Sequence, residues 1–178
     1  MNDSISKRRL LQELQQSTPQ PSSSTSSTSN GMFHLWCPSP QTDLYTWMAL
    51  LYGPKDTAYQ GQHFTLLIKC TQNYPFDAPV VCFTPCPHPI PFHPNIDPST
   101  GAICLDLLKG PSNGHSTGSS GSWKPTLSLN VVVKSIWLLL AEEPNVNDPL
   151  DMEAATLYKM DRTAYHQRIK QQLQADIN

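Results

Sequence analysis

Between residues 85 and 98 the chain carries six prolines, at positions 85, 87, 89, 91, 94 and 98. Proline fixes φ and has no backbone N–H, so neither a regular helix nor a central strand runs through that stretch. The irregular character continues for about forty positions after residue 84. Segments of that length inside a compact domain are usually functional or disordered. Regular structure must therefore lie on both sides of it, and the fold must be one that frames a long irregular segment.

Strand signals precede the segment. Residues 44–52, LYTWMALLY, are apolar at nearly every position and predict a strand covered on both faces. Residues 63–70 alternate, so that Phe64, Leu66, Ile68 and Cys70 share one face. Residues 79–84 give a third strand, and Met32 to Cys37 a shorter one before them. Turn-rich pieces of hairpin length separate them, which predicts an antiparallel meander.

Helices bracket the strands. Residues 3–16 predict an amphipathic helix with Leu10, Leu11 and Leu14 on one face and Lys7, Arg8 and Arg9 near its start. Leu129, Val132, Val133, Ile136 and Leu140 recur at helical spacing and predict a buried central helix. Asp148-Pro149-Leu150-Asp151 reads as a helix start, with Asp148 as N-cap, Pro149 at the first position and Asp151 near the dipole. Tyr165, Ile169 and Leu173 form the stripe of a last helix. The order of helix, four-stranded meander, long irregular segment and C-terminal helices is an α+β pattern.

The 178 residues suit one domain, read as 1–178. Two low-complexity tracts interrupt it. In 17–30, ten of fourteen residues are Ser or Thr, and 110–122 is Gly/Ser-rich. Such tracts bury too little apolar surface to offset their ordering entropy, so both read as flexible inserts. Net charge is −2, which excludes a global cationic field for nucleic acid. Five cysteines cannot form a complete disulfide set. The N-terminal stretch lacks the apolar region of a signal peptide, and apolar runs such as 136–141 are too short to span a bilayer. A soluble cytoplasmic or nuclear chain with reduced thiols, not inserted in a membrane, is the expectation.

The chemistry-bearing residues gather in FHPNIDPSTGAICLDLLK, residues 92–109. Cys104 lies in an apolar run, with His93 and Asn95 eleven and nine residues upstream. A thiol, an imidazole and a carboxamide supply a nucleophile, a shaping group and an oxyanion donor. Cys104 in apolar company also fits a buried small hydrophobe, and His93 between Phe and Pro a loop brace. Cys82, Cys86, His88 and His93 are potential metal ligands, but Cys82-x₃-Cys86 has no matching second pair, so no metal is expected. The local signatures of papain-type and caspase-type cysteine hydrolases are absent. A binding module without chemistry stays open on these grounds.

Four blocks then follow in order: YGPKDTAYQGQHF, NYPFDAPVVCFT, FHPNIDPSTGAICLDLL and WKPTLSLNVVVKSIWLLLAEEPNVNDPL. Together they resemble the ubiquitin-conjugating enzyme (E2) family, with its UBC fold, over residues 3–16 and 31–175. The resemblance implies that Cys104 accepts ubiquitin from an activating enzyme as a thioester. It implies Asn95 as loop and oxyanion support, His93 as a structural brace and Asp148 as the gate acid for the incoming lysine. Phe76, Pro125 and Thr126 match positions that meet a RING or U-box ligase. Arg8 and Arg9 match the helix face used by activating enzyme and ligase. The implied partners are ubiquitin, bound covalently and non-covalently, those two enzymes, and substrate lysines. No cofactor is implied, since the activating enzyme uses the ATP.

Departures from the family pattern are the two inserts, one extra residue near Ala141-Glu142-Glu143-Pro144, and Phe92 where Tyr is usual. The second insert follows the active site directly, where it can contact bound ubiquitin or cap the site. Two alternatives remain at this point: transfer of a ubiquitin-like modifier, and a non-catalytic scaffold that binds ubiquitin or a ligase. The runs ICLDLLK and DPLD also bear a faint similarity to peroxisomal members of the family, which reach the membrane through an anchored partner.

Overall fold

A computed structural model describes residues 2–17, 31–110 and 121–175, with the side chains of 2–3 and 173–175 left aside. Its elements are α1 (Asn2–Ser17), β1 (Phe33–Trp36), β2 (Thr46–Tyr52), β3 (His63–Lys69), β4 (Val80–Thr84), a 3₁₀ turn (Asp106–Leu108), α2 (Leu129–Ala141), α3 (Met152–Met160) and α4 (Arg162–Ala175). The strands form one antiparallel sheet in the order β1-β2-β3-β4. Trp47 faces Ile68, and Ile68 faces Val81, so the buried residues of successive strands stand side by side. The α+β meander with flanking helices is thus the observed fold.

One face of the sheet carries the core. Trp47, Ala49, Leu51, Phe64, Leu66 and Ile68 are fully buried there, against Leu10 of α1 and Val132, Val133 and Ile136 of α2. Tyr165 and Ile169 of α4 join the same cluster, while the side chain of Leu173 lies outside the described residues. The expectation for 44–52 needs correction. The strand begins at Thr46, and Met48, Leu50 and Tyr52 on its second face are only half-buried.

α1 differs from the sequence reading in a useful way. Leu10 is buried and Leu14 packs against the core, but Leu11 is 47 % exposed. Residues advance about 100° each around a helix, so Leu11 is carried off the stripe. The buried positions are Ser6, Leu10, Glu13 and Ser17, three of them polar. Polar groups there have partners: Ser17 donates to the Glu13 carbonyl at 2.8 Å, and Glu13 is satisfied by other elements. Ser17 is therefore helical rather than the first residue of the insert; the remainder of that tract, 18–30, lies outside the described residues.

The start of α3 is also corrected. Its N-cap is Asp151, whose carboxylate accepts the Ala154 N–H at 2.9 Å. Asp148 stands three residues earlier, exposed and outside the helix. The second insert is described only at its ends, with 111–120 outside the described residues. Those ends close on each other: Ser122 N–H donates to the Asp106 carbonyl at 3.2 Å, and Trp123 N–H to the Lys109 carbonyl at 3.3 Å. A Cβ at Gly121 would overlap the Lys109 and Gly110 carbonyl oxygens, so glycine permits this close approach.

Candidate active site

The Pro-rich segment has little regular structure, yet its backbone is tied down. Phe83 N–H donates to the Gly101 carbonyl at 2.9 Å, and Cys82 and Ala102 form an isolated bridge. Gly101 has φ of 70°, and a Cβ there would overlap the Phe83 carbonyl, so this crossing needs glycine. Ile96 and Ile103 form a second bridge. Between them Asp97 closes a turn by accepting the Ser99 hydroxyl at 2.7 Å and the Ser99 and Thr100 N–H groups at 2.9 and 2.8 Å. Those bonds, the Ser99 hydroxyl first, hold its carboxyl down at about 2.

This ladder delivers Cys104. Its N–H donates to the Asn95 carbonyl at 2.9 Å, and its side chain is half-buried. The nucleophile candidate is thus fixed to the upstream triplet through the backbone, while the thiol is not enclosed in the core. The other cysteines are all free; Cys37 and Cys70 are buried, and burial pushes the Cys70 thiol up to about 12. Such a thiol is an inert core residue.

His93, Pro94 and Asn95 each fasten a different part of the molecule. His93 is 1 % exposed, and its Nδ1 accepts the Asn95 N–H at 3.0 Å. Burial pulls its pKa down to about 4, against a smaller upward push from the Leu139 carbonyl, so it is a neutral imidazole near pH 7. The Pro94 carbonyl accepts the N–H groups of Leu150 and Asp151 at 2.8 and 3.1 Å. The Asn95 carboxamide engages Asn145 twice: Nδ2 donates to its carbonyl at 2.6 Å, and Oδ1 accepts its N–H at 3.0 Å. The turn bearing Asp148 is therefore held on both sides, at 145 and at 150–151.

Asn95 differs from the simplest expectation, a carboxamide nitrogen aimed at the sulfur. It is 2 % exposed, and its carboxamide is committed to the N–H and carbonyl of Asn145. An amide nitrogen has two hydrogens, so one is left beyond the bond to Asn145. Asp148 is exposed.

Of the other sequence-selected residues, Phe76 is 49 % exposed, and Arg8, Pro125 and Thr126 are exposed. Arg9 is different. It donates to Glu13 at 2.9 Å and to the Pro125 and Leu127 carbonyls at 3.1 and 2.8 Å. It therefore joins α1 to the 125–127 loop instead of standing free on the helix face. Glu13, which the sequence reading missed, is the buried partner. It also accepts the Tyr74 hydroxyl at 3.0 Å and the Leu129 N–H at the start of α2 at 3.1 Å. Its only sequence signal is the i, i+4 spacing from Arg9. Asn145 was missed because it acts through its peptide group, which no side-chain pattern encodes.

Among the described residues no three His, Cys, Asp or Glu side chains converge as a metal site, and no described helix is long and apolar enough to cross a membrane. A cleft of about 420 Å³ lies behind His93, lined by Tyr59, Tyr158 and Tyr165 and by residues of α4. It does not include Cys104, Asn95 or Asp148. The candidate site is therefore the surface around the thiol, and this cleft is separate from it.

The profile of the ubiquitin-conjugating enzyme family matches residues 9–173. The structure is similar to the E2 domain of a Toxoplasma gondii ubiquitin conjugating enzyme, with a TM-score of 0.72, 29 % identity, and 95 % of this chain and 97 % of that one covered. It is also similar to a candidate ubiquitin conjugating enzyme from Plasmodium yoelii, with a TM-score of 0.74, 27 % identity, and coverages of 96 % and 94 %. With a family match over nearly the whole chain and the same architecture in both neighbours, the chain belongs to the ubiquitin-conjugating enzyme family and has its UBC fold.

Proposed function

We propose that this chain accepts ubiquitin from an activating enzyme as a thioester on Cys104 and passes it to a lysine amine. The observation that carries the reading is the bracketing of one thiol by one triplet. Asn95 holds Cys104 through its carbonyl and the 145 loop through its carboxamide, while Pro94 holds the turn after Asp148. Aminolysis of a thioester needs a positioned amine, loss of its proton and support of one developing negative charge.

In this reading Cys104 is the acyl carrier and leaving group. Asp148 meets the incoming ammonium, orients it and accepts its proton. Asn95 fixes the loop that presents Asp148, and its remaining amide hydrogen supports the oxyanion, a contribution on the order of 3 kcal/mol in related sites. His93, neutral and buried, braces the triplet rather than moving protons. Exposed Phe76, Pro125 and Thr126 meet a RING or U-box ligase, and Arg8 meets the activating enzyme and ligase in turn. Arg9 acts there indirectly, by holding the 125–127 loop. The protein works in the cytoplasm or nucleus, with ATP used by the activating enzyme.

Incubation with activating enzyme, ATP and ubiquitin, followed by a non-reducing gel, tests this. A thiol-sensitive adduct absent from Cys104→Ala is the expected result. No adduct, or one that survives Cys104→Ala, overturns the proposal. Binding of ubiquitin without charging points to a scaffold, and charging only with another modifier points to a different conjugation system.

A further inference from the structure

We infer that Gln172 of α4 is a positioning residue for the transfer step: it holds Phe92, the residue before the His93-Pro94-Asn95 triplet, and through it the placement of the triplet against Cys104. This assignment rests on the thioester reading of Cys104 and concerns the passage of the acyl group to an amine. Pro85, Pro87, Pro89 and Pro91 lack a backbone N–H, so the approach to the triplet cannot be held as a strand. The Ile90 carbonyl and the Phe92 N–H on that approach need partners from elsewhere. Gln172 meets both: its Oε1 accepts the Phe92 N–H at 3.2 Å, and its Nε2 donates to the Ile90 carbonyl at 3.3 Å. The main chain fixes the orientation of the amide, because an N–H requires the oxygen and a carbonyl requires the nitrogen.

The rest of Phe92 is held from the same side. Tyr165, Arg168 and Gln172 stand at i, i+3 and i+7, one stripe of α4. The Tyr165 ring lies 5.8 Å from the Phe92 ring, and the Arg168 guanidinium sits over that ring at 5.2 Å. The Tyr59 hydroxyl donates to the Phe92 carbonyl at 2.8 Å and lies 3.1 Å from the Tyr165 hydroxyl. Phe92 offers no hydroxyl of its own, so it is held by its peptide groups and its ring. The path from there to the thiol is short. His93 follows Phe92 in the chain, its Nδ1 accepts the Asn95 N–H at 3.0 Å, and the Asn95 carbonyl accepts the Cys104 N–H at 2.9 Å. The Asn95 carboxamide holds Asn145. A displacement of Phe92 is thereby passed to the group that fixes both Cys104 and the loop before Asp148. Misplacing reacting groups by about 1 Å costs up to about 100-fold in rate.

Transfer to an amine depends on that geometry, whereas loading of Cys104 by the activating enzyme asks for an accessible thiol. The full chain is charged with ubiquitin, the activating enzyme is quenched, and discharge is followed at increasing free lysine on non-reducing gels, with no ligase added. Gln172→Met keeps a helix-forming side chain of similar length but makes neither hydrogen bond. It is expected to charge as the wild type does, to discharge about tenfold more slowly at saturating lysine, and to keep the half-saturating lysine concentration within about twofold. Gln172→Glu retains an acceptor for the Phe92 N–H and is expected to lose less than about threefold. Gln171→Ala, exposed on the same helix, is expected to match the wild type. Hydrogen exchange reads the contact directly: the Phe92 amide is expected to exchange at least about tenfold faster in Gln172→Met than in the wild type. Wild-type discharge by Gln172→Met, equal losses in the Met and Glu variants, a matching loss in Gln171→Ala, a loss confined to the half-saturating concentration, a parallel loss of charging, or an unchanged Phe92 amide overturns the inference. Failure of the wild type to charge overturns the thioester reading and this assignment with it, and is seen on the gel before lysine is added.

Discussion

Asn95 and Asn145 are joined by two hydrogen bonds that run in opposite directions, carboxamide nitrogen to carbonyl at 2.6 Å and peptide N–H to carboxamide oxygen at 3.0 Å. One side chain thereby satisfies both backbone polar groups of one residue in the loop before Asp148. The pairing is asymmetric, because Asn145 contributes only its backbone. Asn95→Ala is expected to lower stability by about 1–3 kcal/mol, through unmet polar groups, and to slow lysine discharge by at least about tenfold. Asn145→Ala keeps both bonds and is expected to change stability by less than about 1 kcal/mol. Urea unfolding with single-turnover discharge to free lysine checks both; equal losses in the two variants would contradict the clamp.

The buried charge on Glu13 makes a second contrast. Glu13→Gln leaves the donors of Arg9, Tyr74 and Leu129 poorly matched. The expected loss is about 3 kcal/mol, or a Tm lower by about 6–12 °C in a chain of this size. The exposed Glu143–Arg162 pair, at 3.0 Å, is a control. Glu143→Gln is expected to change stability by less than about 0.5 kcal/mol. Thermal melts of both variants decide whether burial sets the difference.

His93 predicts a pH dependence. Its folded pKa, about 4, lies below the ordinary value of 6.5. The unfolded chain therefore binds the proton first. Stability associated with the neutral imidazole is fully present above pH 6.5, declines as pH falls and is lost by about pH 4. The integrated loss is on the order of 3 kcal/mol. Urea titrations at pH 7, 5.5 and 4.5 are expected to show this slope in the wild type and a flatter one in His93→Gln, whose side chain does not titrate.

Asp148 and Asp151 separate helix capping from chemistry. Asp151→Ala removes the acceptor of the Ala154 N–H and is expected to lower stability by about 1–2 kcal/mol. Asp148→Ala alters an exposed side chain that caps no helix, so stability is expected to stay within about 0.5 kcal/mol while lysine discharge slows. Charging of Cys104 is expected to survive in both. A stability loss in Asp148→Ala larger than that in Asp151→Ala would reverse the assignment.

The periodic elements were legible because one side chain per position decides them. Alternation in 63–70 and the recurrence of Leu129, Val132, Val133, Ile136 and Leu140 require only that apolar atoms leave water on one side. The prolines of 85–98 forbade regular structure by covalent geometry alone, and the motif blocks carried the family. Tertiary structure decided the rest, since it turns on groups that a residue's type does not reveal. Peptide groups of 145, 150 and 151 needed partners, and the triplet at 93–95 supplied them. Leu11 was turned outward by helix geometry, and Glu13 was drawn inward by three donors from α1, the 74 loop and α2. Spacing along the chain names a thiol, an amide and an acid; hydrogen bonds between residues far apart in sequence tie the triplet at 93–95 both to Cys104 and to the two sides of the turn bearing Asp148.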